Sequence, residues 1–145
     1  MAFDGHHIRL SLPSSFELLD LVQLLSDRLS TLAGLDEDAT HWISVAVRES
    51  VINAIKHGNR EDRSKHVTVE FVLEPRAKPE QLTVEVLDEG EGFDPDEVAN
   101  PLDPENVLKS SGRGIFFMRS FMDDVSMHRR PGGGMSVRMC KKIAS

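Results

Sequence analysis

Cysteine is nearly absent: Cys140 is the single one among 145 residues. An intramolecular disulfide framework is therefore excluded. Cys140 falls in an alternating apolar run and is expected as a core thiol. Long hydrophobic runs are missing too. No stretch approaches the ~20 apolar residues of a membrane-spanning helix, and residues 1–13 lack the pattern of a secretory signal. The expectation is a cytoplasmic protein with no membrane contact. A clustered basic face is also lacking. The chain carries 24 Asp and Glu against 17 Lys and Arg, a net charge of -7. Duplex nucleic acid requires the opposite balance, so no direct nucleic-acid partner is expected. The short basic group Arg129, Arg130, Arg138, Lys141 and Lys142 is expected to form a solvated strand face.

Two common phosphate-binding patterns are missing as well. No Gly-Lys-Ser or Gly-Lys-Thr occurs, which removes a Walker A loop. Phe117 stands where the last glycine of a dinucleotide-binding G-x-G-x-x-G would be. A calcium loop starting at Asp88 fails, because Phe93 and Ala99 occupy its obligatory Gly and Glu positions.

One stretch has no base at all. Residues 88–105 hold eight acids, which leaves 16 acids against 17 bases elsewhere. The chain is a near-neutral globule with one acidic segment. Its hydrophobic fraction of 39% suffices for one core and exceeds that of a disordered chain. The length fits one domain over residues 1–145.

Periodicity orders the elements. Alternation within residues 1–12 reads as a strand. Leu18, Leu19, Leu21, Val22, Leu25, Leu29 and Leu32 recur at helical spacing. They predict a helix over 14–33 with Ser14 or Ser15 as N-cap and Gly34 as stop. A second helix over 36–57 has Asp36 as cap and Gly58 as stop, with Trp42, Val45, Ala46, Ile52 and Ile55 as its apolar positions. Residues 66–74 and 82–87 alternate and predict an antiparallel hairpin. The acidic segment is interrupted by Pro95, Pro101 and Pro104 and reads as loop. An apolar run over 115–122 predicts a helix. Two strands follow over 125–128 and 135–143, joined through Pro131-Gly132-Gly133-Gly134. Helices clustered in the chain predict an α+β sandwich, with helices on one face of a mixed, mostly antiparallel sheet.

Three features bear on chemistry. Glu49 and Asn53 lie four apart and project from one helix face. A carboxamide oxygen suits Mg²⁺, and a carboxylate can take a proton from a nucleophile. An exposed polar helix face is the plainer alternative. Asp88-Glu89-Gly90-Glu91-Gly92-Phe93 ends a strand, where two glycines let the backbone turn sharply and a ligand approach; a plain turn explains it equally. Ser110-Ser111-Gly112-Arg113-Gly114 opens an apolar helix, a place suited to phosphate and also to an ordinary helix start.

Together, Glu49-Ser50-Val51-Ile52-Asn53-Ala54-Ile55-Lys56-His57-Gly58-Asn59, Asp88-Glu89-Gly90-Glu91-Gly92-Phe93 and Gly112-Arg113-Gly114-Ile115 resemble the N-box and two glycine boxes of the GHKL ATPases. The nearest branch is the small bacterial anti-sigma-factor serine kinases, and the resemblance covers roughly residues 8–142. It implies a Bergerat-type two-layer sandwich that binds ATP with Mg²⁺ between helices and sheet. Asn53 would ligate Mg²⁺ and Glu49 would be the general base. Asp88 would accept a hydrogen bond from the adenine amino group. Gly90 and Gly92 would shape the adenine pocket, residues 94–111 would form an ATP lid, and Gly112, Arg113 and Gly114 would contact phosphates. Acids of the lid, Asp94, Asp96, Glu97, Asp103 and Glu105, would turn away from ATP, because like charges repel.

The resemblance further implies a kinase that phosphorylates a serine of a small antagonist protein. It would also bind a sigma factor and act as a homodimer. A non-catalytic, nucleotide-binding regulatory module is the alternative. A sensor histidine kinase fits poorly, because only about 35 residues precede the second helix, too few for a dimerising, His-bearing hairpin. His41, His57, His66 and His128 are expected in structural or surface roles. One departure stands out. The family commonly follows its last glycine turn with Thr, and here Met135 and then Ser136 follow Gly134. Strand alternation places Ser136 opposite Met135, so the adenine hydroxyl contact is not supplied there: ATP binding would be weaker, or a water beside Asp88 would compensate.

Overall fold

The computed structural model describes residues 4–90 and 119–143. Five strands form one sheet: β1 (His6–Pro13), β2 (His66–Glu74), β3 (Gln81–Leu87), β4 (Asp124–Arg129) and β5 (Met135–Lys142). Their order is β1-β2-β3-β5-β4, and every pairing among them is antiparallel. The mixed element of the expected sheet is thus not seen among the described strands. Two helices, α1 (Leu19–Leu32) and α2 (Glu37–Asn53), pack on each other, and the core forms between them and the sheet.

Alternation decides which face of each strand is dry. Val67, Val69, Phe71 and Leu73 of β2 are buried, as are Leu82, Val84 and Val86 of β3 and Met135, Val137 and Met139 of β5. Burying each such side chain removes roughly 1.5–3 kcal/mol of unfavourable apolar hydration. The opposite face is polar: Glu70 pairs with His7 and Arg9, and Ser136 Oγ donates to Glu85 Oε1 at 3.0 Å. Cys140 is buried, as expected, but its register opposite Thr83 and Asp124 sets it on this outer face, outside the main core cluster.

The helices differ from the expectation in instructive ways. Neither Ser14 nor Ser15 caps α1. The chain enters through a 3-10 turn, Phe16–Leu18, whose preceding Ser15 makes no side-chain cap bond. Ser14 Oγ instead donates to Lys65 O at 2.6 Å, tying β1 to the loop before β2. The apolar residues of the segment divide: Leu19, Val22 and Leu29 of α1 are buried, while Leu18 of the 3-10 turn and Leu21, Leu24 and Leu32 of α1 are exposed. Asp36 does cap α2, accepting from Ala39 N at 2.8 Å. The buried stripe of α2 is Ile43, Ala46, Val47 and Val51, one position out of phase with the expected Trp42 and Val45. Trp42 is 37% exposed and stacks on Phe121, with ring centroids 4.3 Å apart. Of the helix expected over 115–122, only residues 119–121 are helical within the described part.

Candidate functional site at the end of the central strands

The register of the sheet creates the site. Leu87 closes β3 opposite Ser136, near the start of β5. The next residue, Asp88, therefore meets Met135, and Asp88 N donates to Met135 O at 3.1 Å. Asp88 is only 2% exposed. A carboxylate so buried requires partners. Oδ1 accepts from Gly90 N at 3.0 Å and from Met135 N at 3.1 Å. Arg130 Nη1 donates to the Asp88 carbonyl at 2.6 Å. Burial pushes the Asp88 carboxyl above its ordinary pKa. The two backbone N–H groups, and then the positive charges of Arg130 and Lys65, pull it back only in part. With both donors on Oδ1, Oδ2 is the oxygen left for a ligand.

Close approach of three backbone segments makes this arrangement possible. A Cβ on Gly58 would lie 2.3 Å from Asp88 Oδ2, and one on Gly134 would lie 2.0 Å from the Asp88 carbonyl oxygen. Gly134 also has φ +91°, a region that favours glycine. Gly90 packs directly on the Gly58 carbonyl. The pocket-shaping role expected of Gly90 is thus a contact with the end of the helix segment. Gly92, Gly112, Arg113, Gly114 and the segment 94–111, with its acids, lie outside the described residues.

Helix α2 supplies the other wall. It ends at Asn53 and passes into a π-helical turn, Ala54–Gly58, a wider winding that recurs at functional sites. Ser50, Asn53 and Ala54 line a cavity together with Val86, Asp88, Met127 and Val137. Asn53 is 5% exposed. Glu49 lies one turn before Asn53, as its spacing predicts, but it is partly exposed and not part of this lining. Two other depressions, lined by Asp4, Glu74 and Glu80 and by Glu70, Glu74 and Glu85, are acid-rich. Their charge would repel a polyphosphate.

Asn59 was not singled out by spacing, yet it braces the site. Its Nδ2 donates to Ser14 Oγ at 2.7 Å and to His66 O at 3.0 Å, and its Oδ1 accepts from Glu89 N at 2.8 Å. His66 N in turn donates to Glu89 Oε2. One buried carboxamide thereby joins β1, β2 and the turn after Asp88. A polar residue directly after a helix-ending glycine was the available signal. Arg130, expected on a solvated face, is also part of the frame, because the turn before β5 carries it back to Asp88.

Helices on one face of an antiparallel sheet, with a buried carboxylate and a helix-borne carboxamide lining one cavity, define a two-layer α+β domain with its site between the layers. The comparisons with known proteins agree. A family model described as the histidine kinase-like ATPase domain matches residues 12–141. The chain is 28% identical to the serine-protein kinase RsbW of Bacillus subtilis, over 99% of this chain and 89% of that protein. It is 36% identical to the anti-sigma F factor of Clostridium acetobutylicum, over 90% of this chain and 85% of that one. Among solved structures, the RsbU and RsbW domains of a Mycobacterium tuberculosis protein match with a TM-score of 0.66 at 15% identity, over 97% of this chain. This chain spans 33% of that one, and the likeness is one of fold. The chain belongs to the histidine kinase-like ATPase domain family.

Proposed function

We propose that this chain is an ATP-dependent protein serine kinase and anti-sigma factor. It phosphorylates a small antagonist protein, binds a sigma factor, exchanges one for the other and works as a homodimer. One observation carries the reading: Asp88 and Asn53 line a single cavity between α2 and the sheet. The names of the relatives, serine-protein kinase and anti-sigma F factor, support it.

In this reading Asp88 Oδ2 accepts from the adenine amino group, and Gly90 keeps the turn after it closed. Asn53 offers a hard oxygen to Mg²⁺. Asn53 would be its protein ligand, with substrate phosphates and waters supplying the rest, as is usual for Mg²⁺. When bound, Mg²⁺ neutralises charge on the β- and γ-phosphates. Gly92, Gly112, Arg113 and Gly114 complete the nucleotide contacts. Glu49, partly exposed one turn from Asn53, orients the attacking serine and takes its proton. The serine oxygen bonds to the γ-phosphorus, the bond to the bridging oxygen breaks, and ADP leaves with that electron pair.

Glu49→Ala is expected to lower transfer from ATP to a cognate antagonist's serine by about 100-fold or more while ATP still binds. Undiminished transfer would remove Glu49 from the role of base. Nucleotide binding by the wild-type chain without any transfer would instead identify a regulatory binding module.

A further inference from the structure

The start of β5 brings no hydroxyl to Asp88. Met135 follows Gly134 and is fully buried, and it brings no hydroxyl. Ser136 is on the other face of the sheet, bonded to Glu85. No hydroxyl from the first two residues of β5 therefore reaches Asp88. A different element brings one. Ser50 of α2 lines the same cavity as Asp88, is 1% exposed, and its Oγ has no hydrogen-bond partner.

A buried hydroxyl without a partner is unfavourable, and most such groups in folded proteins are satisfied. Ser26 and Ser30 share this state, but they lie on α1 and do not line the cavity. There, a small side chain at a helix contact is explanation enough. Ser50 differs because it lines a cavity whose other polar lining residues are Asp88 and Asn53, the rest being Ala54, Val86, Met127 and Val137. Ser50 and Asn53 are three apart on α2 and both are buried, whereas Glu49 is partly exposed and does not line the cavity.

We propose that Ser50 is a base-recognition residue: its hydroxyl donates to the purine ring nitrogen adjacent to the amino group held by Asp88. This rests on the nucleotide reading of the cavity. A 6-aminopurine presents a donor beside an acceptor along that edge, and the Asp88–Ser50 pair presents an acceptor beside a donor. A 6-oxopurine reverses both, bringing a carbonyl oxygen against a carboxylate and a ring N–H against the hydroxyl.

The test is calorimetric titration of ATP, ADP and GTP, with Mg²⁺, into the wild-type chain, Ser50→Ala and Ser30→Ala. Ser50→Ala is expected to bind ATP and ADP more weakly by the same factor, roughly 5–10-fold. Its preference for ATP over GTP is expected to narrow. Its melting temperature without nucleotide is expected to hold or rise, because an unpartnered buried hydroxyl is gone and Ala favours the helix. Ser30→Ala is expected to leave the affinities unchanged. A wild-type chain that binds ATP while Ser50→Ala binds it equally well would overturn the assignment of Ser50 alone. A lower melting temperature at unchanged affinity would do the same, by giving Ser50 a structural role. A wild-type chain that binds no adenine nucleotide would overturn the nucleotide reading and this inference together.

Discussion

Asp88 is the buried carboxyl group among the described residues. It is buried at the end of β3, held through Oδ1 by two backbone N–H groups, and enclosed by glycine backbone. Burial raises its pKa in the folded state from 3.8. The sign of the stability effect follows. A group whose folded pKa is raised contributes stability that is fully present below the unfolded pKa and is lost as pH rises through the folded value. Asp88→Asn keeps an oxygen for Gly90 and Met135 but cannot ionise. Denaturant titrations from about pH 4 to pH 7 are expected to show the wild-type chain losing stability relative to Asp88→Asn as pH rises. A constant difference across that range would contradict the raised pKa. At this scale, the meeting of Asp88 and Asn53 at one cavity was legible in residue type and spacing, while Glu49 lies one turn away and outside that lining. The roles of Asn59, Arg130, Gly58 and Gly134 were not legible. Each acts through a partner distant in sequence: Asn59 through Ser14, Arg130 and Gly134 through Asp88.

Strands were the most legible elements. The expected 66–74 coincides with β2, the expected 82–87, 125–128 and 135–143 differ from β3, β4 and β5 by one residue at their ends, and the strand expected within residues 1–12 is His6–Pro13, because period-two burial is written directly into a half-buried strand. Helix α2 was legible in extent and cap but not in phase. Trp42 is the largest apolar side chain in the segment, and reading it and Val45 as core moves the start of the stripe by one position. In the folded chain it covers Phe121 at the margin, and the smaller Ile43 and Val47 fill the interior, while Ala46 and Ile55 are buried as expected. The π-helical turn after Asn53 had no sequence signal; it arises where the helix end meets Gly90 and Asp88. A paired substitution checks the observed phase. Ile43→Ala is expected to cost about 2–5 kcal/mol, the range for emptying a packed core position. Leu24→Ala, at a side chain 66% exposed, is expected to cost less than about 0.5 kcal/mol. Similar costs at both positions, measured by urea denaturation, would contradict the packing.

Across the whole molecule, the insertion of β5 between β3 and β4 is the decisive step. It sets Met135 beside Asp88 and returns Arg130 to the same point. Strand order is a long-range property, and alternating patterns alone leave it open, so the class of fold was legible while the frame around the carboxylate was not. No helix among the described residues is long and apolar enough to cross a membrane, in keeping with the hydropathy of the chain. The acidic stretch that unbalances the charge begins at Asp88, and its first acid is an interior group rather than a solvated one. The direct test is therefore made at that residue. Calorimetry of Mg-ATP with the wild-type chain and Asp88→Asn is expected to show an affinity loss of at least about 10-fold, because the amide sets a donor against the adenine amino group where Oδ2 accepted from it. Equal affinity in the two proteins, with both folded, would show that adenine is not held at Asp88.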